Sequence, residues 1–207
     1  METMLAYNSN QKLKDLAVDT AIQHREADKL IKGTYWENGK GCAIGCWAQG
    51  ANSPHQAVAK KYYLPIELLY IVDGLFEQLP DEDSQKWPQQ FAEAIKPGAN
   101  LSLVAPKTML WTLMGPYGVI NTSKQKETKT YIRAVAAIYK EWIRSGEKPV
   151  HGCPLDIAAR EARAAWAAWA AREAREAREA WEAWAARAVE YTRAKRDAVL
   201  GFIADTE

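Results

Sequence analysis

The sequence predicts an all-α fold, a compact helical domain with a very long C-terminal helix. Apolar residues recur three and four positions apart in residues 9–32, 66–79 and 124–144, which is the spacing of amphipathic helices. Residues 155–204 contain no proline, and no glycine before Gly201, which favours one continuous helix. No segment alternates convincingly between apolar and polar residues, so any sheet is expected to be minor.

The first helix is predicted over residues 9–32, with Gly33 just past its end. Its apolar face carries Leu13, Leu16, Ala17, Thr20, His24, Ala27 and Ile31. A glycine-rich loop follows, and its Asn38-Gly39 pair predicts a turn.

Prolines and capping residues mark the helices that come next. Ser53, Pro54 and Gln56 match a capping box that starts a helix running to about residue 63. Pro65 opens a second helix and Pro80 closes it. Further helices are predicted from Ser84 to Ile95, over residues 101–114 with a break at Pro106, and from residue 122 or 123 to about Gly146.

The long helix of residues 154–204 is expected to follow a multi-helix body of residues 1–150, within a single domain of residues 1–207. Trp166, Trp184 and Phe202 fall on one line of this helix, because eighteen residues make about five turns. Fifty residues would span roughly 75 Å, which exceeds the diameter of a domain of this size. We therefore expect a homo-oligomer that associates through this helix.

The composition excludes several classes of protein. The chain is 48% hydrophobic and 26% charged, and 27 basic residues against 26 acidic ones leave a net charge of +1. These values are typical of a soluble globular protein and argue against a sequence-specific nucleic-acid binder. The first residues predict no export signal, and no run of about 18 apolar residues predicts a membrane span. We expect a cytoplasmic protein with reduced cysteines and no membrane partner.

Polar residues near the end of the first helix and in the glycine-rich loop form the candidate site. His24 and Asp28 are one turn apart and can pair on one helix face, while glycine backbone and Lys40 favour an anion. Aromatic neighbours suit stacking of a nucleotide-like ligand. The predicted ligand-binding residues are His24, Arg25, Asp28, Tyr35, Trp36, Lys40, Gly41 and Trp47.

Other interpretations of the same residues stay open at this point. His24 and Asp28 can equally be a satisfied structural pair, and the glycines a turn packed under the tryptophans. Zinc ligation by Cys42, Cys46, His151 and Cys153 has suitable ligand types but lacks the usual Cys-x2-Cys spacing. The preferred interpretation includes no metal ion, no cofactor and no catalytic residue.

The motifs HREAD at residues 24–28, GTYW at 33–36 and GKGCAIGC at 39–46 resemble a small helical family of bacteria and their phages. The segments WPQQF at 87–91 and PGANLS at 97–102, and the Trp/Ala/Arg-rich tail, extend the resemblance over most of the chain. It implies a phage counter-defence protein, located in the host cytosol, that binds a bacterial defence protein or sequesters its nucleotide signal.

The function we expect is that of a non-enzymatic binding protein for a small anionic, nucleotide-like immune signal. One alternative is a protein-protein inhibitor or immunity protein that acts through its helical surface. A second alternative is a small hydrolase that uses His24 and Asp28.

Overall fold

The structure, a computed structural model, describes residues 4–122, 126–150 and 181–206. The all-α prediction is confirmed, since these residues form helices and no strand. Extended pairing within this part of the chain is limited to two isolated bridges, Leu30 with Gly41 and Glu37 with Lys40. None of the helices described is long and apolar enough to cross a membrane.

From residue 43 to residue 122, the described helices follow one another with short connections. After a 3-10 turn at Ala6–Ser9, they are α1 Gln11–Glu26, α2 Ala43–Ala48, α3 Pro54–Tyr62, α4 Ile66–Gln78, α5 Asp81–Ala94, α6 Val104–Met114, α7 Val119–Thr122, α8 Lys126–Ser145 and α9 Trp181–Ala204. The predicted bracketing of α4 by Pro65 and Pro80 is confirmed, because Pro65 is its N-cap and Leu79 its C-cap.

The chain divides into two compact units, Met1–Ala105 with Val199–Glu207, and Pro106–Ala198. In the first unit α1 packs on α5, and α2, α3 and α4 pack on one another. Its core combines aliphatic side chains with large aromatic ones, and two buried tryptophans bond to backbone carbonyls through their ring N–H groups. Trp47 Nε1 donates to Ala17 O at 2.9 Å and Trp87 Nε1 donates to Val72 O at 3.0 Å.

The second unit contains α7, α8 and parts of α6 and α9. The rings of Trp111 and Tyr191 stack at 6.0 Å, and the Tyr117 hydroxyl donates to Glu190 Oε1 at 2.9 Å. A shallow groove of about 240 Å³ lies between Trp142 and Lys148.

The predicted end of the first helix is wrong. Helix α1 ends at Glu26, six residues before the expected end at residue 32. Asp28 adopts a left-handed conformation at φ 53°, and Lys29 N–H donates to His24 O at 2.8 Å, which closes the helix. Ile31 then pairs with Gly41 instead of continuing the apolar face of the helix.

One predicted capping bond and one predicted helix start also differ from the structure. Helix α3 begins at Pro54 as expected, but Ser53 makes no side-chain capping bond. Helix α5 begins at Asp81, not at Ser84, and its first turn holds three acidic residues that complement the helix dipole. The Ser84 hydroxyl donates to Asp81 O inside the helix, and Pro88 also lies within it.

Of the predicted long helix, the structure describes Trp181–Ala204, while residues 154–180 lie outside the described residues. Val199 and Ile203 are buried in the core of the first unit, and Phe202 packs against that core. Tyr191 is covered by Trp111 of the same chain. Oligomerisation through this helix stays a prediction.

Candidate functional site

Some of the predicted ligand-binding residues come together at a hairpin beside the end of α1. Glu37 and Lys40 exchange backbone hydrogen bonds at 2.8 and 2.9 Å. Gly41 N–H then donates to Lys29 O at 3.0 Å, so exposed Lys40 lies beside the chain that leaves α1. The ring of Trp36 lies 5.9 Å from that of His24.

Other predicted residues point elsewhere. The Arg25 guanidinium donates to Gln89 Oε1 on α5. Trp47 is buried with its N–H bonded to Ala17 O, so its ring is not available for stacking with a ligand. Asp28 is exposed and outside the helix, whereas His24 Nδ1 donates to Thr20 O at 2.8 Å. The predicted His24–Asp28 pair on one helix face is therefore wrong.

The glycines of the loop have a structural reason that the sequence did not reveal. A Cβ added at Gly41 would lie 2.0 Å from Tyr35 O, and one added at Gly45 would lie 1.4 Å from the same oxygen. Cys42 N–H donates to Thr34 O at 2.8 Å, which holds the two segments together. These glycines permit close approach of two backbone segments, and the loop N–H groups of residues 40–42 bond to carbonyls of the chain.

A polar cluster lies next to this backbone contact. Cys42 is the N-cap residue of α2, and its Sγ accepts a hydrogen bond from Gly45 N–H at 3.4 Å. Asp73 and Glu77 are one turn apart on α4, so their side chains share a helix face. The Cys42 sulfur and one carboxylate oxygen each from Asp73 and Glu77 all lie within 4.8 Å of one another.

His55, in the first turn of α3, completes the cluster. Its side chain is 6% exposed, and its Nε2 lies 3.3 Å from Asp73 Oδ2 without the geometry of a hydrogen bond. The Tyr70 ring stacks on the imidazole at 4.2 Å, and the Tyr35 ring meets it edge-on at 5.5 Å. Asp73 Oδ1 is also buried without a hydrogen-bond partner.

The electrostatics of the cluster favour uncharged thiol and imidazole groups. Burial raises the pKa of Cys42 to about 12; the Gly45 N–H opposes this shift and the Asp73 carboxylate adds to it. Burial lowers the pKa of His55, although Asp73 acts in the opposite direction. Burial also raises the pKa of Glu77, and the neighbouring Asp73 charge adds to the effect.

No lysine or arginine in the described part of the chain forms an ion pair with Asp73 or Glu77. The charge of Lys32 lowers the pKa of Glu77, but its Nζ bonds to Asp81 Oδ1 at 2.7 Å and to Leu79 O at 2.6 Å. Two neighbouring carboxylates beside a buried thiol therefore have no direct ion pair with a lysine or arginine among the described residues, an arrangement that suits a bound metal ion.

This cluster differs from the zinc set considered from the sequence. Cys46 is not part of it, because its thiol donates to Gly41 O at 3.5 Å. His151 and Cys153 lie outside the described residues. Sequence reasoning missed His55, Asp73 and Glu77. For Asp73 and Glu77 the available signal is two acidic residues four positions apart on a mainly apolar helix, and His55 has no such signal.

Comparisons with protein-family models, with curated proteins and with solved structures find no match for this chain. We therefore infer function from the geometry of the chain's own residues.

Proposed function

We propose that this protein binds one divalent transition-metal ion, with Zn²⁺ as the preferred ion. The proposed ligands are Cys42 Sγ, Asp73 Oδ1 and a carboxylate oxygen of Glu77. The observation that carries the proposal is the convergence of these three donor groups within 4.8 Å.

The chemistry of the donors favours zinc over magnesium or calcium. A thiolate together with carboxylates suits a borderline ion, whereas magnesium and calcium prefer oxygen ligands alone. Around a tetrahedral zinc ion, neighbouring sulfur and oxygen ligands lie roughly 3.5 Å apart. Side-chain adjustments on the order of 1 Å would bring the three donors of this cluster to that spacing.

Groups around the three donors also fit a metal centre. Gly45 N–H donates to the Cys42 sulfur, and Gly33 N–H donates to Glu77 Oε2 at 2.9 Å. Such bonds orient metal ligands and stabilise their charged forms. Glu77 is exposed, which gives an ion a path from solvent to the buried Cys42.

Cobalt titration tests this function, because Co²⁺ bound to a thiolate gives a charge-transfer absorption band. The chain has three cysteines, Cys42, Cys46 and Cys153, and each is replaced by serine in turn. We expect a 1:1 complex whose band disappears in Cys42→Ser alone. Serine is itself a favourable N-cap residue, so this variant is expected to keep helix α2.

Cys46→Ser and Cys153→Ser are the matched controls. Retention of the band in Cys42→Ser would contradict the proposal. Loss of the band in all three variants would instead favour the set Cys42, Cys46, His151 and Cys153. In a second arm, Asp73→Asn and Glu77→Gln are each expected to weaken zinc binding by more than about tenfold. Asp19→Asn, on the exposed side of α1, is the control.

A second candidate function is the binding of a small anionic, nucleotide-like ligand at the hairpin. The Gly41 N–H bond to Lys29 O favours it, because it brings exposed Lys29 and Lys40 together near Trp36 and His24. Sequestration of an immune signalling nucleotide by a phage protein is the biological role that this candidate would serve.

Calorimetry with a cyclic dinucleotide tests the second candidate. Lys40→Ala is expected to abolish the binding heat, while Lys60→Ala, an exposed lysine on α3, leaves it unchanged. The absence of a binding heat with the unmodified protein would exclude this ligand class.

A further inference from the structure

The proposed metal centre has three ligands from the protein, although zinc in proteins takes at least four. The group of donors that lie within 4.8 Å of one another contains Cys42, Asp73 and Glu77, and it does not include His55. A fourth ligand must therefore come from a movement of His55 or from outside the cluster.

The surroundings of His55 hold its ring in place. The ring is stacked on Tyr70 and contacted edge-on by Tyr35, and its side chain is 94% buried given an exposure of 6%. Its Nε2 faces Asp73 Oδ2, which leaves Asp73 Oδ1 for the ion. In this arrangement His55 is a positioning residue, which acts on the Asp73 carboxylate through the 3.3 Å contact between Nε2 and Oδ2.

The fourth position then lies toward solvent. Cys42 and His55 are buried, whereas Glu77 is exposed. Tyr35 and Tyr70, whose rings contact His55, are 48% and 54% exposed, so each residue keeps a part that solvent can reach. A small ligand can reach the ion from this side and contact an aromatic surface.

The charge of the centre selects the kind of ligand. A thiolate and two carboxylates carry three negative charges, one more than the two positive charges of zinc. An added anion would therefore enter a site whose net charge is already negative. A neutral nitrogen donor avoids this repulsion. Zinc sites made of three thiolates and one neutral histidine have the same net charge, so zinc accepts this combination of ligands.

We infer that the ion keeps an exchangeable fourth position and that this position binds a neutral nitrogen heterocycle, with an imidazole or nucleobase nitrogen as the donor atom. The inference rests on the proposed function, because it requires the ion to be held by Cys42, Asp73 and Glu77. The half-exposed rings of Tyr35 and Tyr70 offer a surface on which a planar ligand can pack.

The test uses the full-length protein loaded with Co²⁺ and follows the visible d–d bands. Imidazole, sodium phosphate and sodium acetate are added separately at equal concentration. We expect imidazole to shift the bands with saturation, and phosphate and acetate to leave them unchanged. A shift with phosphate or acetate, or no shift with imidazole, would overturn the inference.

His55→Gln separates the two possible sources of the fourth ligand. We expect this variant to keep the thiolate band and the response to imidazole, with cobalt affinity weaker by about 10- to 100-fold. His24→Gln, away from the cluster, is the control and should behave like the unmodified protein. If the unmodified protein ignores imidazole but His55→Gln responds to it, His55 is the fourth ligand and the inference is wrong.

The failure of this inference can be distinguished from failure of the proposed function. Without a sulfur-to-cobalt band in the unmodified protein, the metal centre itself is refuted. With the band present and no response to imidazole, the centre stands and only the exchangeable position is refuted.

Discussion

Replacing Gly45 by alanine is expected to destabilise the first unit by at least about 3 kcal/mol. The added Cβ would lie 1.4 Å from Tyr35 O and 2.4 Å from Tyr35 C, whereas a carbon and a carbonyl oxygen in contact lie about 3.3 Å apart or more. The obstacle is backbone, so no side-chain rotation relieves it. The segment around Tyr35 must move by roughly 2 Å, and overpacking in a rigid core costs about 1–3 kcal/mol or more.

Gly74→Ala is the matched control, because it makes the same substitution within a helix. A Cβ at Gly74 would have Gln78 Nε2 as its nearest neighbour, at 3.8 Å, which is an ordinary contact. Removing a helical glycine should raise the free energy of unfolding by about 0.5–1 kcal/mol. The two glycine variants are therefore expected to change stability in opposite directions.

Urea denaturation followed by far-ultraviolet circular dichroism measures both effects. The reasoning would be refuted if Gly45→Ala unfolded within about 1 kcal/mol of the unmodified protein. The cobalt titration adds a second readout, because Cys42 and Tyr35 lie at the two sides of this contact. A folded Gly45→Ala protein should bind cobalt more weakly, whereas Gly74→Ala should bind it unchanged.

Four further predictions concern the metal centre, the core and assembly. Burial raises the pKa of Cys42 to about 12, so zinc must displace a proton from this thiol in order to bind. The apparent zinc affinity should therefore rise by about tenfold per pH unit between pH 6 and 8 because of this group. If Cys42→Ser left the pH dependence of zinc affinity unchanged, this prediction would be contradicted. Zinc at 100 times its dissociation constant should raise the free energy of unfolding by about 2.7 kcal/mol in urea titrations, and Cys42→Ser should lose this gain. Tyr7→Phe should lower the free energy of unfolding by about 1 kcal/mol in the same assay, because the buried Tyr7 hydroxyl donates to Ala92 O at 3.2 Å; an unchanged midpoint would argue against that bond. Residues 154–204 are expected to mediate self-association, and a monomer in sedimentation at tens of micromolar would contradict this.

The fold class could be predicted because helical periodicity and proline placement are local signals. Helix α4 shows this, since Pro65 and Pro80 bracket its apolar pattern and the structure follows them. The end of α1 could not be predicted in the same way. The apolar spacing continues to Ile31, but a nonlocal pairing with Gly41 takes those residues out of the helix. A single sequence carries no information about which distant segment offers that pairing.

The candidate site also has a part that local sequence signals indicate and a part that depends on nonlocal packing. The sequence indicates a special role for the loop that contains Cys42, because several glycines and two cysteines lie close together there. The sequence gave no reason to connect Cys42 with Asp73 and Glu77, which lie 31 and 35 positions further along the chain, on α4. Only the packing of α2 and α4 brings these groups together. The sequence leaves two interpretations of the loop glycines open, an anion site or a packed turn, and close backbone packing accounts for Gly41 and Gly45.

The polar cluster is the part of the first unit where buried polar atoms most clearly lack hydrogen-bond partners. Five buried side-chain polar atoms lack a hydrogen-bond partner in the part of the chain that the structure describes, and two of them, His55 Nε2 and Asp73 Oδ1, belong to this cluster. An unpaired buried acceptor destabilises the fold by about 1–3 kcal/mol, and apolar side chains at the same places would avoid that penalty. Proteins break their local packing rules mainly where function requires it. An ion held by Cys42, Asp73 and Glu77 would give Asp73 Oδ1 a partner and so remove part of this cost.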